Sequence, residues 1–223
     1  MQDRIRKVAA TIEHTLLKPE ATRRDIETVC DEAVNHGFAA VCVMPVYVNL
    51  AKGRLAGKAV KVVTPIGFPL GAHSSAVKAY EARDAVAAGA DELDMVLQVG
   101  ALKTGDYDAV RRDIAAVVEA AEGRPVKVIL ETALLSDAEI ERACRLAEEA
   151  GARFVKTSTG FGPGGATVHH VALMRRIVGG RLGVKASGGI RTAEAALAML
   201  EAGADRLGTS SGTAIVRELE VQE

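Results

Sequence analysis

Two short stretches share a design suited to amine chemistry. Arg153-Phe154-Val155-Lys156-Thr157-Ser158-Thr159-Gly160 runs from an apolar segment through a lysine into small hydroxylated residues and a glycine. Gly183-Val184-Lys185-Ala186-Ser187-Gly188-Gly189 repeats the order. Phe154 and Val155 read as strand and the residues after Lys156 as turn, so each lysine falls where a strand ends. If the two strands are neighbours, about 4.8 Å apart, the two amines share a pocket. The like charge then lowers an amine's pKa and leaves one lysine neutral enough to attack a carbonyl. One strand-end lysine is as well explained by a solvated rim. A matched pair beside glycine-rich turns favours chemistry.

Glu92-Leu93-Asp94-Met95-Val96 supplies a carboxylate. Asp94 has apolar neighbours on both sides, so it turns away from bulk water and needs a partner; an ammonium in the same pocket is one. A structural ion pair and a tuned lysine are compatible readings. Three loops suggest an anion site: Thr157-Ser158-Thr159-Gly160, Ser187-Gly188-Gly189 and Gly208-Thr209-Ser210-Ser211. Glycine lets backbone amides approach an anion, Ser and Thr add donors, and a helix starting near Ser210 aims its N-terminus there. Arg191 adds charge. Each loop alone is an ordinary tight turn; the three together favour a phosphate monoester.

Other candidates read differently. Lys61 and Lys127 stand early in their strands and are expected at the opposite, stabilising end. Cys42 ends a strand and reads as pocket lining or as a buried thiol. His169 and His170 are adjacent, lack metal-ligand spacing, and read as surface residues. Residues 65–71 form a Pro- and Gly-rich loop that walls the site or only turns the chain.

What positions these residues is a recurring joint. Gly37, Gly89, Gly151 and Gly203 each follow a helical pattern and precede a short apolar run, three of them inside the same Ala-Gly-Ala triplet. Gly57, Gly123 and Gly179-Gly180 mark weaker copies. A helix ends well on a left-handed glycine, and the chain then turns into a buried strand. Apolar i, i+3, i+4 spacing predicts helices over 23–35, 74–88, 106–122, 137–150, 168–178 and 193–202. Ser136 with Glu139 reads as a capping box, and Thr22 and Thr192 as caps. Residues 3–8 suit a lead-in helix and 9–15 a first strand. Strict alternation implies a parallel sheet, and eight units imply a closed (β/α)8 barrel occupying 1–223 as one catalytic domain. Such barrels act at the carboxyl ends of their strands. An open doubly wound sheet is the alternative, weakened by the lack of Gly-x-Gly-x-x-Gly after the first strand.

The net charge of −1 speaks against a nucleic-acid or polyanion partner. No apolar run approaches the roughly 20 residues of a membrane span. No apolar segment follows Met1-Gln2-Asp3-Arg4-Ile5-Arg6-Lys7, so no secretory signal is visible. Cys30, Cys42 and Cys144 show no metal or redox spacing, and a cytoplasmic location is expected.

The lysine motifs, Glu92-Leu93-Asp94-Met95-Val96, Gly188-Gly189-Ile190-Arg191 and His14-Thr15-Leu16-Leu17-Lys18-Pro19 together resemble deoxyribose-phosphate aldolase, over about residues 8–217. The resemblance implies a class I aldolase that cleaves 2-deoxy-D-ribose 5-phosphate reversibly to D-glyceraldehyde 3-phosphate and acetaldehyde. By it, Lys156 forms the Schiff base, Asp94 and Lys185 make up the proton relay, and Gly160, Gly188, Gly189, Ser210 and Ser211 contact the phosphate. It implies a phosphosugar ligand, no metal or other cofactor, and a homo-oligomer. Two positions depart from the family. Glu13 stands where Asp is frequent, which leaves its role open. The final Glu218-Leu219-Glu220-Val221-Gln222-Glu223 lacks the terminal Tyr of some members, so no tail-assisted relay is expected. Two readings compete on the residues alone. A phosphosugar isomerase or epimerase would share the phosphate loops without a nucleophilic lysine. A non-catalytic phosphometabolite-binding barrel would bind without forming an imine.

Overall fold

Short apolar runs alternate with amphipathic ones along this chain, and the strands and helices follow that alternation. The computed structural model describes residues 2–221. The strands are β1 (Ile12–Leu16), β2 (Ala40–Val43), β3 (Lys61–Ile66), β4 (Glu92–Val96), β5 (Val126–Ile129), β6 (Phe154–Lys156), β7 (Gly183–Ser187) and β8 (Arg206–Thr209). They pair in parallel and in chain order, and β8 closes on β1 through Glu13 opposite Gly208. The helices are α1 (Gln2–Ala9), α2 (Arg23–His36), α3 (Val48–Arg54), α4 (Ser75–Ala87), α5 (Val99–Lys103), α6 (Tyr107–Ala120), α7 (Asp137–Glu149), α8 (Val168–Val178), α9 (Ala193–Glu201) and α10 (Gly212–Val221). The expected (β/α)8 barrel with its lead-in helix is therefore the observed fold.

Local chemistry sets the joints. Thr22 and Ser136 form capping boxes with Asp25 and Glu139, which satisfies amides that a helix start leaves without partners. Gly37 ends α2 at φ 68°, and its amide returns to the carbonyls of Ala33 and Val34. Gly89, Gly151 and Gly203 repeat the positive φ.

Strand alternation sorts the barrel's side chains. Leu93 and Met95 on β4, Val126 and Val128 on β5, and Val184 and Ala186 on β7 join the apolar layer between strands and helices. Their neighbours Glu92, Asp94, Lys127 and Lys185 take the other face and are buried inside the barrel. Glycine makes room there. A Cβ on Gly208 would stand 3.0 Å from Lys185 Cε, and one on Gly183 would fall 2.1 Å from the Phe154 ring.

Three features were not expected. α3 and α5 are helices of 7 and 5 residues, too short to show a period, and the first contains Gly53, a poor helix former. β3 runs on through Pro65 to Ile66; near a strand's end the missing N–H forfeits little of the ladder. The tail expectation falls partly on Gln222 and Glu223, which lie outside the described residues.

Candidate active site

Lys156 ends β6 and Lys185 lies directly opposite it on β7. The inward carboxylate of Asp94 stands between them. Lys156 Nζ donates to Asp94 Oδ2 at 2.8 Å, and Lys185 Nζ donates to the same oxygen at 2.7 Å. The two late lysines therefore meet, and the buried Asp94 has the ammonium partners that its sequence position required.

The third partner was misplaced by the sequence. Lys127 was expected at the stabilising end, but its side chain is wholly buried inside the barrel. Its Nζ donates to Asp94 Oδ1 at 3.1 Å and lies 2.6 Å from Glu92 Oε2 and 3.5 Å from Glu13 Oε1. Phe154 lies under the ammonium, 5.8 Å from ring centre to nitrogen. The physical reason is register: β5 pairs with β4 so that Lys127 lies directly opposite Asp94, and with β6 so that it lies opposite Phe154. Lys61 does stay at the far end, 46% exposed, and pairs with Glu92 Oε1 at 2.7 Å. Glu13, whose role the sequence left open, binds Lys185 through Oε2. Glu13 and Glu92 were legible as inward residues, since each alternates with an inward neighbour, Thr15 and Asp94.

Three buried carboxylates thus face three lysines. For Asp94, burial favours the neutral form, but Lys127, Lys156 and Lys185 overcome it and hold the carboxyl well below its ordinary value. For Lys185, burial favours the free amine, but Asp94 and Glu13 reverse this and raise its pKa. Lys127 is raised for the same reasons. The like-charge effect expected from the sequence does not decide Lys185, because the carboxylates outweigh it. Burial pushes Glu92 up, and Lys127 and Lys61 bring it down to about 2. Cys42 does not line the site. Burial lifts its thiol to about 11, and it packs with Leu17, Ala40 and Val63.

Above the strand ends lies a cleft of about 270 Å³. Lys156 lines it with a side chain 5% exposed, while Asp94 and Lys185 are fully buried behind it. Gly160, Gly188, Gly189, Ser210 and Arg191 line the same cleft, as does Lys18 from the loop after β1. Ser211 does not line it. The Ser211 amide donates to Thr209 Oγ1 at 2.9 Å. Several hydroxyls expected as anion donors lace the loops together: Thr157 Oγ1 donates to Ser187 O at 2.9 Å, and Thr209 Oγ1 to Ile190 O at 2.6 Å.

Gly188 and Gly189 are consecutive left-handed residues, φ 89° and 79°, a run that only glycine adopts readily. A Cβ on Gly165 would sit 2.2 Å from Gly188 O, so the loops after β6 and β7 touch backbone to backbone. The cleft carries three cationic residues, Lys18, Lys156 and Arg191, and, among the described residues, no acidic one. That lining suits a small anionic substrate. Lys18 was quoted in the sequence motif but given no role. Asp137, His169 and His170 form a separate cluster with potential ligand atoms within 4.8 Å of one another. His169 is exposed and pairs with Asp137 at 2.9 Å; the two helix N-termini there disfavour a cation.

A cationic cleft at the carboxyl end of a closed (β/α)8 barrel, with a lysine amine at its wall, defines an enzyme of the barrel class. The family model of the DeoC/LacD family aldolases matches residues 7–218, and the chain belongs to that family. It is therefore a carbon–carbon lyase. The chain is 61% identical over 213 residues to the deoxyribose-phosphate aldolase of Thermococcus gammatolerans, covering 94% of this chain and 95% of the relative. It is 59% identical over 211 residues to that of Streptococcus sanguinis, covering 95% and 96%. A solved tetrameric deoxyribose phosphate aldolase from Aeropyrum pernix superimposes with a TM-score of 0.91 at 36% identity, covering 98% of this chain and 93% of that one.

Proposed function

We propose that this chain cleaves 2-deoxy-D-ribose 5-phosphate reversibly to D-glyceraldehyde 3-phosphate and acetaldehyde through an imine on Lys156. The observation that carries the reading is the shared Asp94 oxygen: Lys156, the lysine of the group that reaches the cleft, is held 2.8 Å from a carboxylate that also holds Lys185.

The unprotonated amine of Lys156 attacks the C1 carbonyl of the open-chain sugar and loses water to give an iminium, which is an electron sink. The C2–C3 bond breaks as a base removes the C3 hydroxyl proton. The electron pair moves into an enamine, and the three-carbon aldehyde leaves. A proton then reaches C2, water hydrolyses the imine, and acetaldehyde departs. Asp94 and Lys185 are the residues next to Lys156 able to move these protons. Lys185 is held protonated by Asp94 and Glu13, which suits a donor. Gly160, Gly188, Gly189 and Ser210, with Lys18 and Arg191, grip the phosphate and align the carbonyl with the amine. Ser211 supports this loop through Thr209. The protein acts in the cytoplasm as a homo-oligomer, a reading supported by the tetrameric relative and by the lack, among the described residues, of a helix long and apolar enough to cross a membrane.

Borohydride reduction in the presence of acetaldehyde, followed by peptide mapping, tests the reading. An ethyl group is expected on Lys156. Labelling elsewhere with Lys156 unmodified would overturn it.

A further inference from the structure

Just beyond the end of β5 stands a residue that the mechanism does not use. Glu131 follows β5 with its backbone in the left-handed region, φ 56° and ψ 59°, which residues with a Cβ rarely adopt. It is 5% exposed, and among the described residues its carboxylate pairs with no cation. Oε2 accepts from the Thr159 amide at 3.3 Å and from the Thr159 hydroxyl. That hydroxyl accepts in turn from the Phe161 amide at 3.1 Å. Oε1 is buried without a hydrogen-bond partner. Gly162 lies against the group: a Cβ there would stand 2.8 Å from the carboxyl carbon and 2.9 and 3.0 Å from its two oxygens.

A buried carboxylate without a cation, on a left-handed backbone, persists only where its surroundings hold it. What it touches in return is one turn, residues 159–162. Thr159, Gly160 and Phe161 of that turn line the cleft beside Lys156. The backbone below is tied separately, by Leu130 N–H to Lys156 O and Thr132 N–H to Thr157 O, both 2.9 Å. Lys156 is therefore anchored without Glu131, whereas the turn above it is held by the Glu131 carboxylate together with the edge-on packing of Phe161 against Phe68, 5.2 Å between ring centres.

We propose that Glu131 is a positioning residue: its carboxylate latches turn 159–162 and so sets the cleft wall against which the substrate aligns with Lys156. The inference rests on the reading of this cleft as the aldolase site. The latch shapes binding of the five-carbon phosphosugar and leaves the amine itself alone. Replacing the carboxylate by an isosteric amide preserves an acceptor for both Thr159 donors. Removing it also removes the obstacle to a side chain at residue 162.

Four variants test this: Glu131→Ala, Glu131→Gln, Gly162→Ala and the double variant Glu131→Ala/Gly162→Ala. Each is assayed in the steady state with 2-deoxyribose 5-phosphate and by borohydride trapping of acetaldehyde on Lys156. Glu131→Ala should lower kcat/KM about tenfold or more, chiefly through KM, because misplacing a substrate-aligning wall is costly. Trapping of the two-carbon aldehyde should stay near wild type. Glu131→Gln should remain within about threefold of wild type, since it keeps both bonds to Thr159. Gly162→Ala should resemble Glu131→Ala, and the double variant should be no worse than either single one, because residues in contact do not add. An unchanged KM in Glu131→Ala, a Gln variant as weak as the Ala variant, multiplying effects in the double variant, or an equal loss of trapping would each overturn the latch. Failure of the wild type to trap acetaldehyde on Lys156 would instead overturn the aldolase-site reading on which it rests.

Discussion

Lys156 and Lys185 donate to one and the same oxygen of Asp94, at 2.8 and 2.7 Å. A single carboxylate oxygen thus sets the position of both amines. A proton that Lys156 gives up has Asp94 as its nearest acceptor and Lys185, which Glu13 also binds, as its next neighbour. Directly opposed register positions on β6 and β7 produce this geometry without help from loops, so it is as rigid as the barrel.

Asp94→Asn should therefore damage chemistry more than binding. The amide cannot accept protons as a carboxylate does, and the two lysines lose the charge between them. A fall in kcat on the order of 100-fold or more is expected, with KM for the phosphosugar changed much less. Steady-state kinetics decide it. A kcat within a few-fold of wild type would remove Asp94 from the proton relay.

Lys127 and Lys61 both bind Glu92 but should behave differently. Lys127 is wholly buried among Glu92, Asp94 and Glu13, so Lys127→Met leaves buried carboxylates short of a cation. Breaking such a group costs about 3 kcal/mol or more. Lys61 is 46% exposed, and Lys61→Met should cost about 1 kcal/mol or less. Denaturant midpoints at neutral pH compare the two. Equal losses would mean that Lys127 contributes only as a strand residue.

The pH dependence follows from Glu92. Burial alone would raise its pKa, but Lys127 and Lys61 lower it from 4.5 to about 2. A folded-state value below the unfolded one means stability that is fully present above about pH 4.5 and lost as pH falls toward 2. Asp94 is shifted in the same direction. Glu92→Gln removes one of these contributions and should flatten the fall in Tm between pH 5 and pH 3. An unchanged slope would show that Glu92 is not titrating with folding.

How much of this was legible in the sequence depends on range. The joints at Gly37, Gly89, Gly151 and Gly203 announce themselves because a helix C-terminus has a local chemistry, and their number implies the barrel. Lys156 and Lys185 were readable because the barrel rule needs only their place along a strand. Lys127 was not, because the rule ranks a residue along its own strand, while the pairing of β5 with β4 sets Lys127 directly opposite Asp94. The Ser211 loop shows a different limit: composition does not say which hydroxyls a loop's own backbone consumes, and the Thr209 hydroxyl already holds the Ser211 amide. Glu131 gave no sign at all, since a left-handed glutamate and its contact with Gly162 exist only once two loops are brought together.

The phosphate grip gives the sharpest contrast between neighbours. Ser210 lines the cleft and Ser211 does not. Ser210→Asp should therefore place a carboxylate against the substrate dianion in a partly enclosed site, where repulsion is strong. Ser211→Asp should act more weakly, through the loop. Lys18→Ala removes one of the two cations that flank the cleft beside Lys156 and should raise KM about tenfold, the loss expected for one charge-assisted hydrogen bond. The control substrate is 2-deoxyribose without its phosphate. It makes no use of these groups, so its poor turnover should be nearly the same in wild type, Ser210→Asp and Lys18→Ala. Measuring kcat/KM for both substrates with the three variants separates grip from scaffold. If Ser210→Asp lost activity equally on both sugars, or if Ser211→Asp were the more damaging on the phosphosugar, the phosphate would not bind at the loops after β7 and β8. The cationic lining of the cleft would then need another explanation.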